Sequence, residues 1–234
     1  MEAADVRILV AGATGALGSA VAVLAAERGA RVVPAGRDPH RLEQVAGRLG
    51  SPAMLRFDAY DSDGCTRLAA RAADRLGGLD AVLVTSGTVA FGPAERTSAV
   101  IEEHLMAVNA LAPMAVLRGA LAVIGPGGAV GAITAAIVDR PVKGMAAYQA
   151  SKAALSAWLD AVRTEQRRNR ISVLDARLPH LDTGLVDRAV AGTPPPTPPG
   201  ADLSAWVAAL LEGMISGASV LMPHPVHGAP TLRR

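Results

Sequence analysis

At 234 residues, half of them hydrophobic and only 3% aromatic, the chain can bury one substantial core built from Ala, Val and Leu. The net charge is only +2, and the densest basic patch, residues 163–170, falls at a helix end where cations suit the dipole, so nucleic-acid binding is disfavoured. Cys65 is alone, which excludes an internal disulfide and a cysteine metal site; the start does not read as a signal peptide and no apolar run reaches bilayer length, so a cytoplasmic protein without metal or membrane contact is expected.

Strand-like and helix-like patterns then alternate along the whole chain. Residues 6–11 form a short apolar run that ends in glycines, and 17–28 read as a helix closed by Gly29. A second strand covers 31–35. The helix over 39–49 has Asp38 as its N-cap and Pro39 at its first position. Strands follow at 53–57 and 80–84, separated by a helix over 61–76 that Gly77 and Gly78 stop. A long helical pattern covers 97–123. After it come a strand at 129–134, a helix over 146–168, a strand at 171–176, a helix over 202–214 and a last strand at 219–222. Alternating β and α with continuous apolar strands predicts an α/β, doubly wound parallel sheet with helices on both faces, in a single domain. Ligands of such folds bind at the carboxyl ends of the strands. The proline-rich stretch 192–200 cannot continue a helix or a central strand. It lies on the expected binding edge and reads either as part of a substrate lid over 181–200 or as a plain surface connection.

Several motifs fall on that edge. Gly12, Ala13, Thr14, Gly15, Ala16, Leu17 and Gly18 follow the first strand and open the first helix. Glycines there let the chain turn tightly and bring backbone N–H groups up to a pyrophosphate. At the end of strand two, an NAD enzyme usually carries an acid for the ribose 2′-hydroxyl; here Gly36 stands in its place, followed by Arg37. A guanidinium attracts a 2′-phosphate, so NADP(H) is preferred over NAD(H). Asp58, before Ala59, either accepts from an adenine amino group or caps the next turn. Thr85, Ser86 and Gly87 follow strand four, and Gly87 would let backbone pass under a cofactor. Asn109 is polar within an apolar helical run. It must be hydrogen-bonded, either as a satisfied buried amide or as a working group. Tyr148 and Lys152 sit one helical turn apart on one face. That pairs a plausible proton donor with a cation able to acidify it.

Taken together, the Gly-rich turn, Asp58, Gly87, Asn109, the Tyr148/Lys152 pair and Pro179 followed by Thr183 resemble the short-chain dehydrogenase/reductase family, in order and spacing, over nearly the whole chain. The resemblance implies a Rossmann-type sheet of about seven parallel strands and hydride transfer between NAD(P)H and a carbonyl or alcohol. It implies that Tyr148 is the proton donor, that Lys152 lowers the phenol's pKa and bonds the nicotinamide ribose, that Asn109 holds a water in a proton relay, and that Thr183 orients the carboxamide. The cofactor set it implies is Gly12, Thr14, Gly15, Ala16, Leu17, Gly18, Arg37, Asp58, Ala59, Ser86, Gly87, Tyr148, Lys152, Pro179 and Thr183. In the family the long helix and the Tyr-bearing helix pair between subunits, which implies a homodimer or homotetramer.

The chain also departs from the pattern. Glycines at 12, 15 and 18 follow the spacing of the longer, epimerase-type members; Thr85 and Ser86 replace Asn-Ala; His180 replaces the glycine after Pro179. The family's serine, which polarises the substrate carbonyl, lies thirteen residues before the tyrosine, and that position is Ala135. Thr134 precedes it, but adjacent strand residues point to opposite faces, so it takes over only if a bulge re-aims it. Thr134, Ser86, His180 or the substrate itself are the candidates for the missing donor. The leading expectation is an NADPH-dependent carbonyl reductase or alcohol dehydrogenase on a small apolar or uncharged substrate. The competing ones are a cofactor-binding sensor or scaffold with little turnover, and a non-redox dehydration or epimerisation on the same scaffold.

Overall fold

Continuous apolar runs make the centre of the sheet. The computed structural model describes residues 5–51, 53–196 and 199–234. Its strands are β1 (Arg7–Ala11), β2 (Arg31–Gly36), β3 (Leu55–Arg56), β4 (Ala81–Val84), β5 (Ala129–Ile133), β6 (Ser172–Ala176), β7 (Val220–Pro223) and β8 (Pro230–Arg233). They form one sheet in the order β3-β2-β1-β4-β5-β6-β7-β8. The first seven are parallel, as expected, and the eighth adds an antiparallel edge on β7. β8 is a short edge strand that starts with proline, and an edge needs no continuous apolar run, so its sequence carries no central-strand signal. The expected third strand shrinks to two paired residues for the same reason: it is the other edge.

The helices are α1 (Ala16–Glu27), α2 (Pro39–Arg48), α3 (Ser62–Leu76), α4 (Ala99–Met106), α5 (Ala112–Leu121), α6 (Ala146–Gln166) and α7 (Leu203–Ser216). Alternate strand residues feed the two faces. Leu9, Val33 and Val82 pack with Leu68 of α3, Val116 of α5 and Leu155 of α6. Ile8, Val10 and Leu83 pack with Val21 of α1, Val45 of α2 and Trp206 of α7. Asp38 caps α2 as expected, accepting from the Arg41 N–H, and Pro39 sits in the first turn.

The expected long helix over 97–123 is interrupted by a π turn, Ala107–Leu111. Pro113 has no N–H to return to the Asn109 carbonyl and its ring crowds that turn, so the backbone widens there. This places Asn109 on the widened turn. By length and mean hydropathy alone (1.3 over its best window), Ala99–Leu121 is long and apolar enough to cross a membrane, contrary to the expectation that no run would be. Part of its apolar surface is the core seam against α3 and the sheet, where Val116 and Leu117 are fully buried.

Candidate active site

The glycine turn joins β1 to α1. Gly12 has φ +97°, and a Cβ on it would come 2.5 Å from the Ser86 nitrogen. One on Gly18 would come 2.4 Å from the Gly12 carbonyl oxygen and from Thr85 Oγ1. These two glycines are required by the protein's own packing. Gly15 is not: a Cβ there would meet only the Gly12 oxygen, at 3.5 Å. Its bareness leaves space outside the turn. α1 starts with no capping side chain and no acid in its first turn, so its leading N–H groups, at Ala16, Leu17 and Gly18, lack a side-chain acceptor. A phosphate-bearing cofactor fits such a cradle. So does Ser86 Oγ at the end of β4, which is buried and unpartnered among the described residues.

Beside the turn, the absence of an acid after β2 has a steric cause. A Cβ on Gly36 would come 2.5 Å from the methyl of Thr14. Arg37 is exposed, and its guanidinium has no partner among the described residues. A cleft of about 280 Å³ opens between the turn and α2, lined by Thr14, Gly15, Ser19, Arg41 and Arg48. Arg48 reaches back to Ser19 Oγ at 3.0 Å. Sequence reasoning missed Arg41 and Arg48; their signal was a basic stripe on α2 in step with Arg37. Asp58 Oδ1 accepts the Tyr60 N–H at 3.0 Å, as a cap of the turn does, while Ala59 leans on the core.

The reaction end is different. Lys152 is 3% exposed and its Nζ donates to the Ile133 carbonyl at 2.9 Å. Gly87 lies against it: a Cβ there would be 3.2 Å from Nζ and 3.3 Å from Asn109 Oδ1. The Asn109 amide is spent on protein groups. Oδ1 accepts from the Thr88 N–H at 2.8 Å, and Nδ2 donates to the Thr88 carbonyl at 2.9 Å and to Ser151 Oγ at 3.0 Å. Ser151 in turn donates to the Tyr148 carbonyl at 2.7 Å. Asn109 therefore ties the end of β4 to α6.

Tyr148 is 8% exposed, within an apolar cluster of Val89, Ala90, Phe91, Leu105 and Ile137. Ala135 packs partly against the same cluster, so the position of the missing serine does face the phenol's surroundings. Burial pushes the Tyr148 hydroxyl up to about 12. The expectation that Lys152 brings it toward neutrality is not what the closed site shows: the ammonium is turned to the Ile133 carbonyl, and desolvation dominates the phenol. Lys152 is itself pushed down to about 8 by burial, against the pull of Asp175.

Thr134 does not fill the gap left by Ala135. Its side chain is buried and its hydroxyl donates to Asp175 Oδ1, on the side away from Ala135. No bulge re-aims it; Ala135 continues extended at φ −162°. His180 is also engaged, with Nε2 3.2 Å from Asp182 Oδ1. Thr183 Oγ1 makes a long contact of 3.4 Å to the Leu181 carbonyl, and Pro179 is half-buried beside it. Residues 185–191 cover the Tyr148 cluster, with Leu185, Val186, Ala189 and Ala191 packed on it. They are strapped down by two backbone bonds of 2.9 Å, Val190 N–H to the Val89 carbonyl and Phe91 N–H to the Ala191 carbonyl. The cover thus precedes the proline run, of which residues 197 and 198 lie outside the described residues.

A glycine-cradled helix start on a core of seven parallel strands, with a buried Tyr/Lys pair one turn apart, is the geometry of a dinucleotide-binding fold. The short chain dehydrogenase family model matches residues 7–193, and the chain belongs to that family. It is 28% identical over 193 residues to a 3beta-hydroxysteroid dehydrogenase of Mediterraneibacter gnavus, covering 79% of this chain and 69% of that one. It is 26% identical over 173 residues to dehydrogenase/reductase SDR family member 7B of Danio rerio, covering 69% of this chain and 56% of the relative. The chain thus spans less than two thirds of the vertebrate relatives it matches, 60% in the mouse protein. Among solved structures, a Burkholderia cenocepacia putative dehydrogenase with bound NADP superposes with TM-score 0.82 at 21% identity, covering 94% of this chain and 92% of the other. A Sinorhizobium meliloti dehydrogenase/reductase gives 0.81 at 22% identity, covering 94% of each.

Proposed function

We propose that the protein is an NADPH-dependent carbonyl reductase for a small apolar or uncharged ketone or aldehyde. The observation that carries this reading is geometric: Tyr148 and Lys152, both buried, lie one turn apart on α6, with the phenol against an apolar cluster. The phenol is protonated in the neutral range, the form that gives a proton to a carbonyl oxygen. The surrounding cluster is apolar, which suits an uncharged substrate. When bound, the nicotinamide would supply hydride to the carbonyl carbon. The chain's own residues do the rest. Leading N–H groups of α1 and Ser86 Oγ hold the dinucleotide, and Arg37 with Arg41 holds the 2′-phosphate. Lys152 sets its charge behind Tyr148 and holds the nicotinamide ribose; Thr183 orients the ring. Asn109 keeps the Lys152 seat in register and anchors a relay to solvent. A homodimer or homotetramer through α4, α5 and α6 belongs to the same reading.

A second reading has a specific observation in its favour. With Ala135 in the serine position and the Thr134 hydroxyl spent on Asp175, the developing oxyanion has lost a donor, which lowers rate by roughly 10²–10³. His180 turns its Nε2 to Asp182, and Ser86 keeps a buried hydroxyl without a partner among the described residues. The alternative is therefore a protein that binds NADPH and turns over little. NADPH oxidation across a panel of ketones, quinones and aldehydes separates the two. Turnover of an apolar carbonyl supports the reductase; tight NADPH binding with no consumption on any of them, and no change on Tyr148→Phe, rules it out.

A further inference from the structure

β6 carries a carboxylate in the middle of the core. Asp175 is 0% exposed and sits in the run VLDA, paired in register with Ala132 of β5. A buried carboxylate persists only when charges and donors satisfy it. Three groups do so, each from a different piece of backbone. The Thr134 hydroxyl, just past β5, donates to Oδ1. Ser156 of α6 donates to Oδ2 at 2.7 Å, and Arg177 Nε, just past β6, donates to Oδ2 at 2.8 Å. Arg177 also reaches Ser156 Oγ at 3.1 Å and Asp139 at 2.7 Å, with Asp160 at 4.0 Å.

Two of these partners flank Lys152. Thr134 follows Ile133, whose carbonyl receives the Lys152 Nζ, and Ser156 is one turn further along α6. The groups around the ammonium are the Asn109 amide from the π turn, the Ile133 carbonyl from β5, the backbone at Gly87 beyond β4, and Asp175 from β6, with Tyr148 one turn before it on its own helix. Among the described residues, Asp175 is the carboxylate that acts on it, and Asp175 is itself paired with Arg177 at 2.8 Å.

We infer that Asp175 is a positioning residue for the reaction end: through Thr134 and Ser156 it fixes the seat of Lys152, and its charge holds the ammonium protonated behind Tyr148. Donors reach both carboxylate oxygens, and an amide has only one acceptor oxygen, so the site as built calls for a carboxylate at 175. The inference leans on the proposed roles of Tyr148 and Lys152 for its consequence, but it is testable on Lys152 directly. Burial and Asp175 oppose each other on this group, with a net position near 8. Removing the negative charge moves Lys152 further down, so a smaller fraction is charged at neutral pH and any activity falls off at a lower pH on the alkaline side.

Lysines occur at only two positions, Lys143 and Lys152, and Lys143 is exposed. Lysine labelled with 13C at Cε therefore gives two NMR signals in the whole protein, one of them an internal control. We expect Lys152 to titrate near 8 in the parent. Asp175→Asn should lower that midpoint by about one pH unit or more, a tenfold change in proton affinity, with Lys143 unmoved. Asp175→Glu should restore it. Arg177→Gln removes the opposing cation and should raise the midpoint, which keeps the test decisive if Asp175→Asn does not fold. A Lys152 midpoint unchanged in folded Asp175→Asn, or unchanged in Arg177→Gln where only that variant folds, overturns the inference. Shifts as expected in a protein that consumes no NADPH would count against the reductase reading and leave this inference standing.

Discussion

The two ends of the groove are built on opposite plans. The cofactor end is open: a bare Gly15, uncapped helix N–H groups, an unpartnered Ser86 hydroxyl and an exposed Arg37 beside a cleft. Its polar groups are left for something other than protein. At the reaction end, Asn109, Ser151 and Lys152 spend their polar atoms on one another or on backbone, Thr134 and Ser156 spend theirs on Asp175, and Tyr148 lies buried under an apolar strap. One end is arranged for contact with a charged, hydrated ligand. The other removes water from a single phenol, which is where electrostatic preorganisation gains most.

The sharpest way to break this contrast is to remove the phenol. Tyr148→Phe should cut the carbonyl-dependent rate by about 10²–10⁴, the usual worth of a general acid, while NADPH affinity measured by fluorescence titration changes little. Comparable losses in both would mean that the two ends are not separable. Next in size, Ala135→Ser puts a hydroxyl into the cluster beside Tyr148. The rate should rise, with about 10²–10³ as the ceiling. A flat or lower rate shows that another group already serves the oxyanion.

At the open end, Arg37→Asp should raise the Kd for NADPH at least about tenfold more than that for NADH, consistent with losing a charge-assisted contact. Equal weakening of both would remove the phosphate role. The last comparison concerns the turn itself. Gly15→Ala should leave the thermal midpoint nearly unchanged yet weaken NADPH, since only Gly12's oxygen lies near. Gly12→Ala, at φ +97° and 2.5 Å from backbone, should cost stability, about 1–3 kcal/mol, read by urea unfolding. If the two behave alike, Gly15's bareness has no special purpose.

Sequence patterning carried the fold because apolar runs and capped helices are local signals. It lost the π turn: Pro113 was visible, but a proline four residues after Asn109 can kink, end or widen a helix, and only packing selects among these. It lost β8 because a four-residue edge strand needs its neighbour to exist. In the site, the glycine turn, Arg37 and the Tyr148/Lys152 pair were legible as spacings. Asp175 was not, since one acid in VLDA names none of its partners, and Thr134 was assigned to catalysis for want of them. Whether a hydroxyl at a strand end faces substrate or core depends on which partner waits on each side.

One detail of the strap bears on traffic through the site. Gly192, at φ +73°, lies so near Phe91 that a Cβ would come 1.8 Å from the carbonyl oxygen. The cover can lie flat only because that residue has no side chain. Any opening over Tyr148 along this segment has to break the two backbone bonds that hold 189–191 on 89–91. A methyl at residue 192 would collide with the Phe91 carbonyl and lift the cover from the Tyr148 cluster.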